Sequence, residues 1–139
     1  MAIGMTKLDA TVVEAAEEVA AEAIEWASDT GGTVLDAGTT EIFNDVILQV
    51  SVTFHASATG DAILHLRTSA DSGTTEDTAD VETYAKTIAV SAGNTVIVSH
   101  LVPGQFDYLD VGMENEDGTY VLDWSCKYSG SKMTGLATV

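Results

Sequence analysis

Three histidines, one cysteine and several acidic clusters are the side chains of this sequence with chemistry to offer. A shared metal would need imidazoles converging from neighbouring strands. His55 and His65 could meet on the outer faces of adjacent strands, but no third ligand stands at a metal-site spacing. Ser99 directly precedes His100, and neighbours in a strand point to opposite faces, so the two make no nucleophile and base pair. All three imidazoles are expected in solvent. Cys126 alternates with Trp124 and Tyr128 on an apolar face, with no basic cluster to stabilise a thiolate. It is expected as a small buried hydrophobe.

The acidic run Asp71-Ser72-Gly73-Thr74-Thr75-Glu76-Asp77 could gather carboxylates about calcium, but it lacks the alternation and fixed glycine of an EF-hand loop. A hydrated loop is the simpler reading. Glu17-Glu18 and Glu116-Asp117 are adjacent pairs without an apolar pocket to raise a pKa, which gives glycosidase chemistry no support. Gly31-Gly32 lacks the Lys-Ser/Thr of a phosphate-binding loop. The aromatic residues Trp26, Trp124, Tyr84, Tyr108, Tyr120 and Tyr128 could include a sugar-stacking platform, although core packing is the commoner use. The expectation is no catalytic residue, no metal ligand, no cofactor and no enzyme.

Composition agrees with a non-catalytic, packed protein. The 139 residues suit one domain, and with 45% hydrophobic residues there is material for a core. Against 22 Asp and Glu stand 5 Lys and Arg, a net charge of −17, which repels phosphates and disfavours direct nucleic-acid binding and anionic membranes. Scarce lysine with abundant acid also resembles proteins from salty surroundings, where screening weakens self-repulsion. One cysteine allows no intrachain disulfide, so packing must carry the fold. The opening residues run into Asp9 and a Glu-rich stretch where a signal peptide needs a continuous apolar region, and no apolar run approaches a membrane span. A soluble protein made in the cytoplasm is expected.

The elements that must position these residues follow from period-two alternation. Val46, Leu48, Val50, Val52 and Phe54 share one face of a strand, and Ala62, Leu64 and Leu66 share one face of the next, with Thr59-Gly60-Asp61 predicting a hairpin between them. Residues 69–80 read as a long exposed loop. Strands over 84–90 and 95–101, joined by Ala92-Gly93-Asn94, predict a second hairpin. Pro103-Gly104 marks a turn, followed by strands at 108–113 and 119–128. Turns every eight to twelve residues predict an antiparallel β-sandwich, with a jelly-roll connection compatible.

The N-terminal third is ambiguous. Thr11-Val12-Val13-Glu14 fits a capping box, and the Ala/Glu-rich run to Ala27 favours a helix, while alternation over Ala21–Ser28 offers an extra strand instead. The single domain 1–139 thus divides into an N-terminal arm at 1–10, an acidic helix or strand at 11–30, a sandwich at 41–128 and a C-terminal tail at 129–139. Ile3, Met5, Met133, Leu136 and Val139 in the two ends are candidate inter-subunit contacts.

The stretches Val50–Gly60, Leu64–Gly73, Val90–Gly93 and Phe106–Val111, with Glu114-Asn115, resemble small β-sandwich virion proteins of tailed bacteriophages over roughly residues 29–128. The acidic segment 12–27 departs from the β-rich opening of such proteins. The resemblance implies a non-enzymatic capsid cement or decoration protein in the virion, or a neck, tail or baseplate module. Its partners would be other virion proteins such as the major capsid protein, and it would form a homo-oligomer, by analogy a trimer. No functional residue is carried over. Two rival readings are a carbohydrate-binding or host-attachment module and a small enzyme whose residues converge only in three dimensions.

Overall fold

The computed structural model describes residues 4–36, 41–69, 84–102, 106 and 108–134. Among the described residues nine strands follow in chain order: β1 Gly4–Val19, β2 Ile24–Trp26, β3 Leu35–Asp36, β4 Ile42–Phe54, β5 Ala62–Ser69, β6 Tyr84–Ile88, β7 Thr95–Leu101, β8 Tyr108–Asn115 and β9 Leu122–Thr134. The alternation in β4 is realised as read: Val46, Leu48, Val50 and Val52 are fully buried, while Gln49 and Thr53 face solvent. One sheet has the order β1-β9-β4-β7, the other β2-β8-β5-β6 with β3 also paired to β8. Every pairing among the described strands is antiparallel.

The sheets form the expected β-sandwich. Val13, Val19, Leu48, Val50, Val52 and Trp124 from the first share one core with Leu64, Leu66, Leu109, Val111 and Met113 from the second. Burying each such aliphatic side chain stabilises the fold by about 1.5–3 kcal/mol.

Both expected hairpins are corrected. β4 and β5 lie in different sheets, as do β6 and β7, so the Thr59-Gly60-Asp61 and Ala92-Gly93-Asn94 segments carry the chain across the sandwich. Local turn residues fix where the chain reverses, but not which sheet the next strand joins. At the first crossing the backbone NH of Thr59 and Gly60 donate to the Asp117 carboxylate, which ties this segment to the 115–120 turn.

The favoured N-terminal helix is corrected too. No helix occurs among the described residues; residues 11–19 continue β1, and β2 occupies the middle of the alternative strand at 21–28. β9 hydrogen-bonds to β4 along one side, and its other side is satisfied by β1 from Gly4↔Thr134 to Val19↔Leu122. That ladder, with Val13 and Val19 buried, outweighs helix propensity of a few tenths of a kcal/mol per residue. Three register shifts in β1 accommodate its irregular apolar spacing.

The expected arm and tail also differ from the structure. Residues 4–10 and 129–134 pair within β1 and β9, so the sandwich extends beyond the expected 41–128 at both ends. The acidic loop at 71–77 and the Pro103-Gly104 turn lie outside the described residues.

Candidate interaction surface

β5 and β8 place a polar cluster on the outer face of the second sheet. Arg67 stands opposite Asp110, and His65 opposite Gly112. The Arg67 Nη2 donates to Asp110 Oδ2 at 2.7 Å and its Nε to the same oxygen at 3.2 Å. Ser28 completes the set, with Oγ donating to Oδ2 at 2.6 Å and the backbone NH to Oδ1 at 3.2 Å. The Asp110 side chain is wholly buried, so these donors replace water around its charge.

Trp26 lies against Gly112, where a Cβ would come within 2.8 Å of the indole, and the Arg67 guanidinium sits 4.0 Å from the ring centroid. His65 Nε2 is 2.9 Å from Glu114 Oε1. Trp26 is its ring neighbour at 6.1 Å, and the imidazole is 6% exposed. The expectation of a solvated His65 is therefore corrected: the 20–36 segment covers this part of the sheet. His55 is exposed and stacks on Tyr120 at 4.3 Å, while His100 is half-buried, with its pKa lowered by burial and then by Lys86.

Chemically the cluster is committed inward. The Ser28 hydroxyl donates to the Asp110 carboxylate, whose charge is already engaged by Arg67. Among the described residues no three His, Cys, Asp or Glu side chains group to hold a metal. Asp117, in the turn after β8, is 3% exposed and accepts backbone NH bonds from Thr59, Gly60, Thr119 and Tyr120. Those bonds hold its carboxyl far below the usual carboxylate range. Cys126 is buried as expected, and desolvation, followed by the nearby Glu14 charge, pushes its thiol up to about 12.

The first sheet shows a different outer face. A shallow groove of about 330 Å³ lies over β1, β9, β4 and β7, with Val12, Gln49, Ile97 and Lys127 among its walls. Glu14 sits at one side, 4% exposed, accepting a 2.5 Å bond from Thr30 Oγ1. Burial raises its pKa; the Thr30 bond opposes this, and Glu17, Glu25 and Asp110 add to the rise. Val12, Ile47, Ile97 and Leu101 are 57, 44, 63 and 58% exposed, and Ile47 stands directly opposite Leu101. Val12 and Ile97 stand apart from the Ile47–Leu101 pair, with Gln49, Ser51 and Lys127 between them. These exposed aliphatics were missed in the sequence, although β7 carries their signal: aliphatic residues at both alternating sets, Val96 and Val98 inward, Ile97 and Leu101 outward.

Of the candidate contact residues, Met5 is 56% exposed on β1 and faces half-buried Met133 across the β1–β9 ladder. Ile3, Leu136 and Val139 lie outside the described residues. Among the suggested stacking aromatics, Trp124 is 1% and Tyr108 8% exposed, Tyr128 packs edge-on against Phe43, and Trp26 carries Arg67. The side chain of Tyr84 is outside the described set.

No protein-family model matches the chain, and no curated protein does. Among solved structures it is similar to a chain in the structure of infectious bursal disease virus, Gt strain, at 6% identity and a TM-score of 0.53 over 96% of this chain and 32% of that one. A chain in the Gx strain structure aligns at 6% identity with a TM-score of 0.46, over 99% and 33% respectively. The chain spans about a third of the length of these neighbours. The Gt-strain likeness is one of fold. A similar fold forms about a third of that virus-structure chain.

Proposed function

We propose that this chain is a non-enzymatic structural protein of a virus particle, acting through contacts between its outer faces and neighbouring subunits. The observation that carries the reading is the division of labour between the two sheets. The buried ion pair and the polar groups on the second sheet bond one another, whereas the first sheet presents Val12, Ile47, Ile97 and Leu101 to solvent. The adjacent Ile47 and Leu101, with Ile97 on the same strand and face as Leu101, give this sheet an exposed apolar edge of the kind that marks protein contacts. The fold shared with a virus structure supports the same reading.

Within that role, the sequence resemblance to tailed-phage proteins favours a capsid cement or decoration protein, with a neck, tail or baseplate module as the alternative. Burying surface between subunits then favours the assembled state by mass action. The major capsid protein would be the principal partner and the virion the location. A homo-oligomer fits the role, with the trimer suggested by analogy and a two-fold pair as alternatives.

Quantitative mass spectrometry of purified particles from the source tests the proposal. Stoichiometric copies per particle are expected. Absence from particles, with the chain found free in the infected cell, would overturn it.

A further inference from the structure

We infer that β7 is a pairing edge for a second copy of this chain, so that two sandwiches join β7 to β7 antiparallel across a two-fold axis. The hydrogen-bond phase of the ladder sets up this edge. Val102 NH donates to Val46 O and Phe54 NH to Asn94 O, two pairs in the same register as Val50↔Val98. Pairs exchanging bonds alternate with pairs that do not. The even-numbered residues of β7 are therefore bonded to β4, and the NH and C=O of Thr95, Ile97, Ser99 and Leu101 point away from it. Among the described residues no strand lies on that side.

The other edges are defended, and β7 is not. β1 carries Asp9, Glu14, Glu17 and Glu18 with three register shifts; β6 has five residues with Lys86 at its centre; β2 and β3 have three and two residues. Charges, bulges and shortness are the devices that stop a strand from adding to a neighbour. Thr95-Val96-Ile97-Val98-Ser99-His100-Leu101 has no Asp, Glu, Lys, Arg or Pro, and its pairing with β4 runs over seven residues without a shift.

Charge distribution selects a second copy as the occupant. A chain of net charge −17 is repelled by its twin over most of its surface, but not across an uncharged strand. Joining β7 to β7 also puts the acidic β1 strands at opposite ends of an eight-stranded sheet. Seven strand spacings of about 4.8 Å separate them by about 34 Å, well beyond the screening length of about 8 Å at physiological salt. A basic partner would instead need acidic residues at the edge it meets. In such a pair odd-numbered residues oppose odd-numbered ones, so Ile97 and Leu101 of both copies fall on one face, with Ile47 beside each Leu101. A two-fold interface of this kind closes on itself and does not propagate.

The test is sedimentation velocity on the intact 139-residue chain at physiological salt, with residue-resolved amide exchange at low and high concentration. A species of twice the chain mass is expected. The amides of Thr95, Ile97, Ser99 and Leu101 should gain at least tenfold protection as it forms, while those of Val96, Val98 and His100 stay protected throughout. Ser99→Pro removes an edge NH that β4 does not use, and Ile97→Lys places a charge on the joined face. Both should shift the equilibrium to the monomer by at least tenfold; unchanged far-UV circular dichroism identifies a folded variant, and Ile97→Lys serves if Ser99→Pro does not fold.

A monomer at every concentration, a trimer, a dimer unaffected by folded variants, or edge protection that requires a different protein would each overturn the pairing. The pairing does not depend on the virus reading: presence in particles tests one and the mass of the free chain tests the other.

Discussion

At the scale of single residues, the polar groups of this protein are structural fasteners. Asp110 is held by Arg67 and Ser28 with no exposure to water, so Arg67→Met should destabilise the fold by about 3–5 kcal/mol in urea unfolding, the usual cost of leaving a buried charge without its partner. Adding Asp110→Leu to that variant should recover most of the loss. Asp117 fastens the 59–60 crossing to the turn at 117–120. Its native pKa lies below the unfolded value of 3.8, so its stabilisation is fully present above that pH and is lost as pH falls through the depressed native value. Asp117→Asn should therefore lower the urea midpoint at pH 7, and the gap from wild type should narrow only below pH 3.8. Cys126, with its thiol pushed up to about 12, should resist a thiolate-selective reagent at pH 8 and react on unfolding, as read by labelling with and without urea. Its burial was legible from the alternation with Trp124. Asp117 and His65 were not, because Thr59 lies 58 positions from Asp117 and Glu114 lies 49 positions from His65.

At the scale of elements, strand positions were legible and strand partners were not. β4 and β9 announce themselves by alternation and β7 by its β-branched residues, whereas the assignment of β5 and β6 to the opposite sheet depends on which core face is left uncovered. The N-terminal stretch shows the same divide more sharply. Thr11–Ala27 favours a helix by composition, yet β9 recruits residues 11–19 as a strand. A peptide covering 11–27 should accordingly turn helical in trifluoroethanol, with minima at 208 and 222 nm in circular dichroism. The intact protein in buffer should give a strand spectrum. A peptide that stays unstructured in the alcohol would remove the conflict between local preference and fold.

At the scale of the whole molecule, charge is the dominant global quantity. With 22 acidic and 5 basic residues, self-repulsion opposes the compact state, and salt shortens its range. The melting temperature should rise steadily as sodium chloride goes from about 0.05 to 1 M, where the Debye length shrinks to about 3 Å; a flat or falling curve in differential scanning calorimetry would refute this. The pairing of β1 with β9 has a consequence in time as well as in space. Gly4 lies opposite Thr134 and Val19 opposite Leu122, so the partner of the earliest strand leaves the ribosome after every other strand described. Until it emerges, residues 4–19 have no ladder to join, and a helix of the kind expected for the 11–27 peptide would have to open before the sandwich closes on the nascent chain.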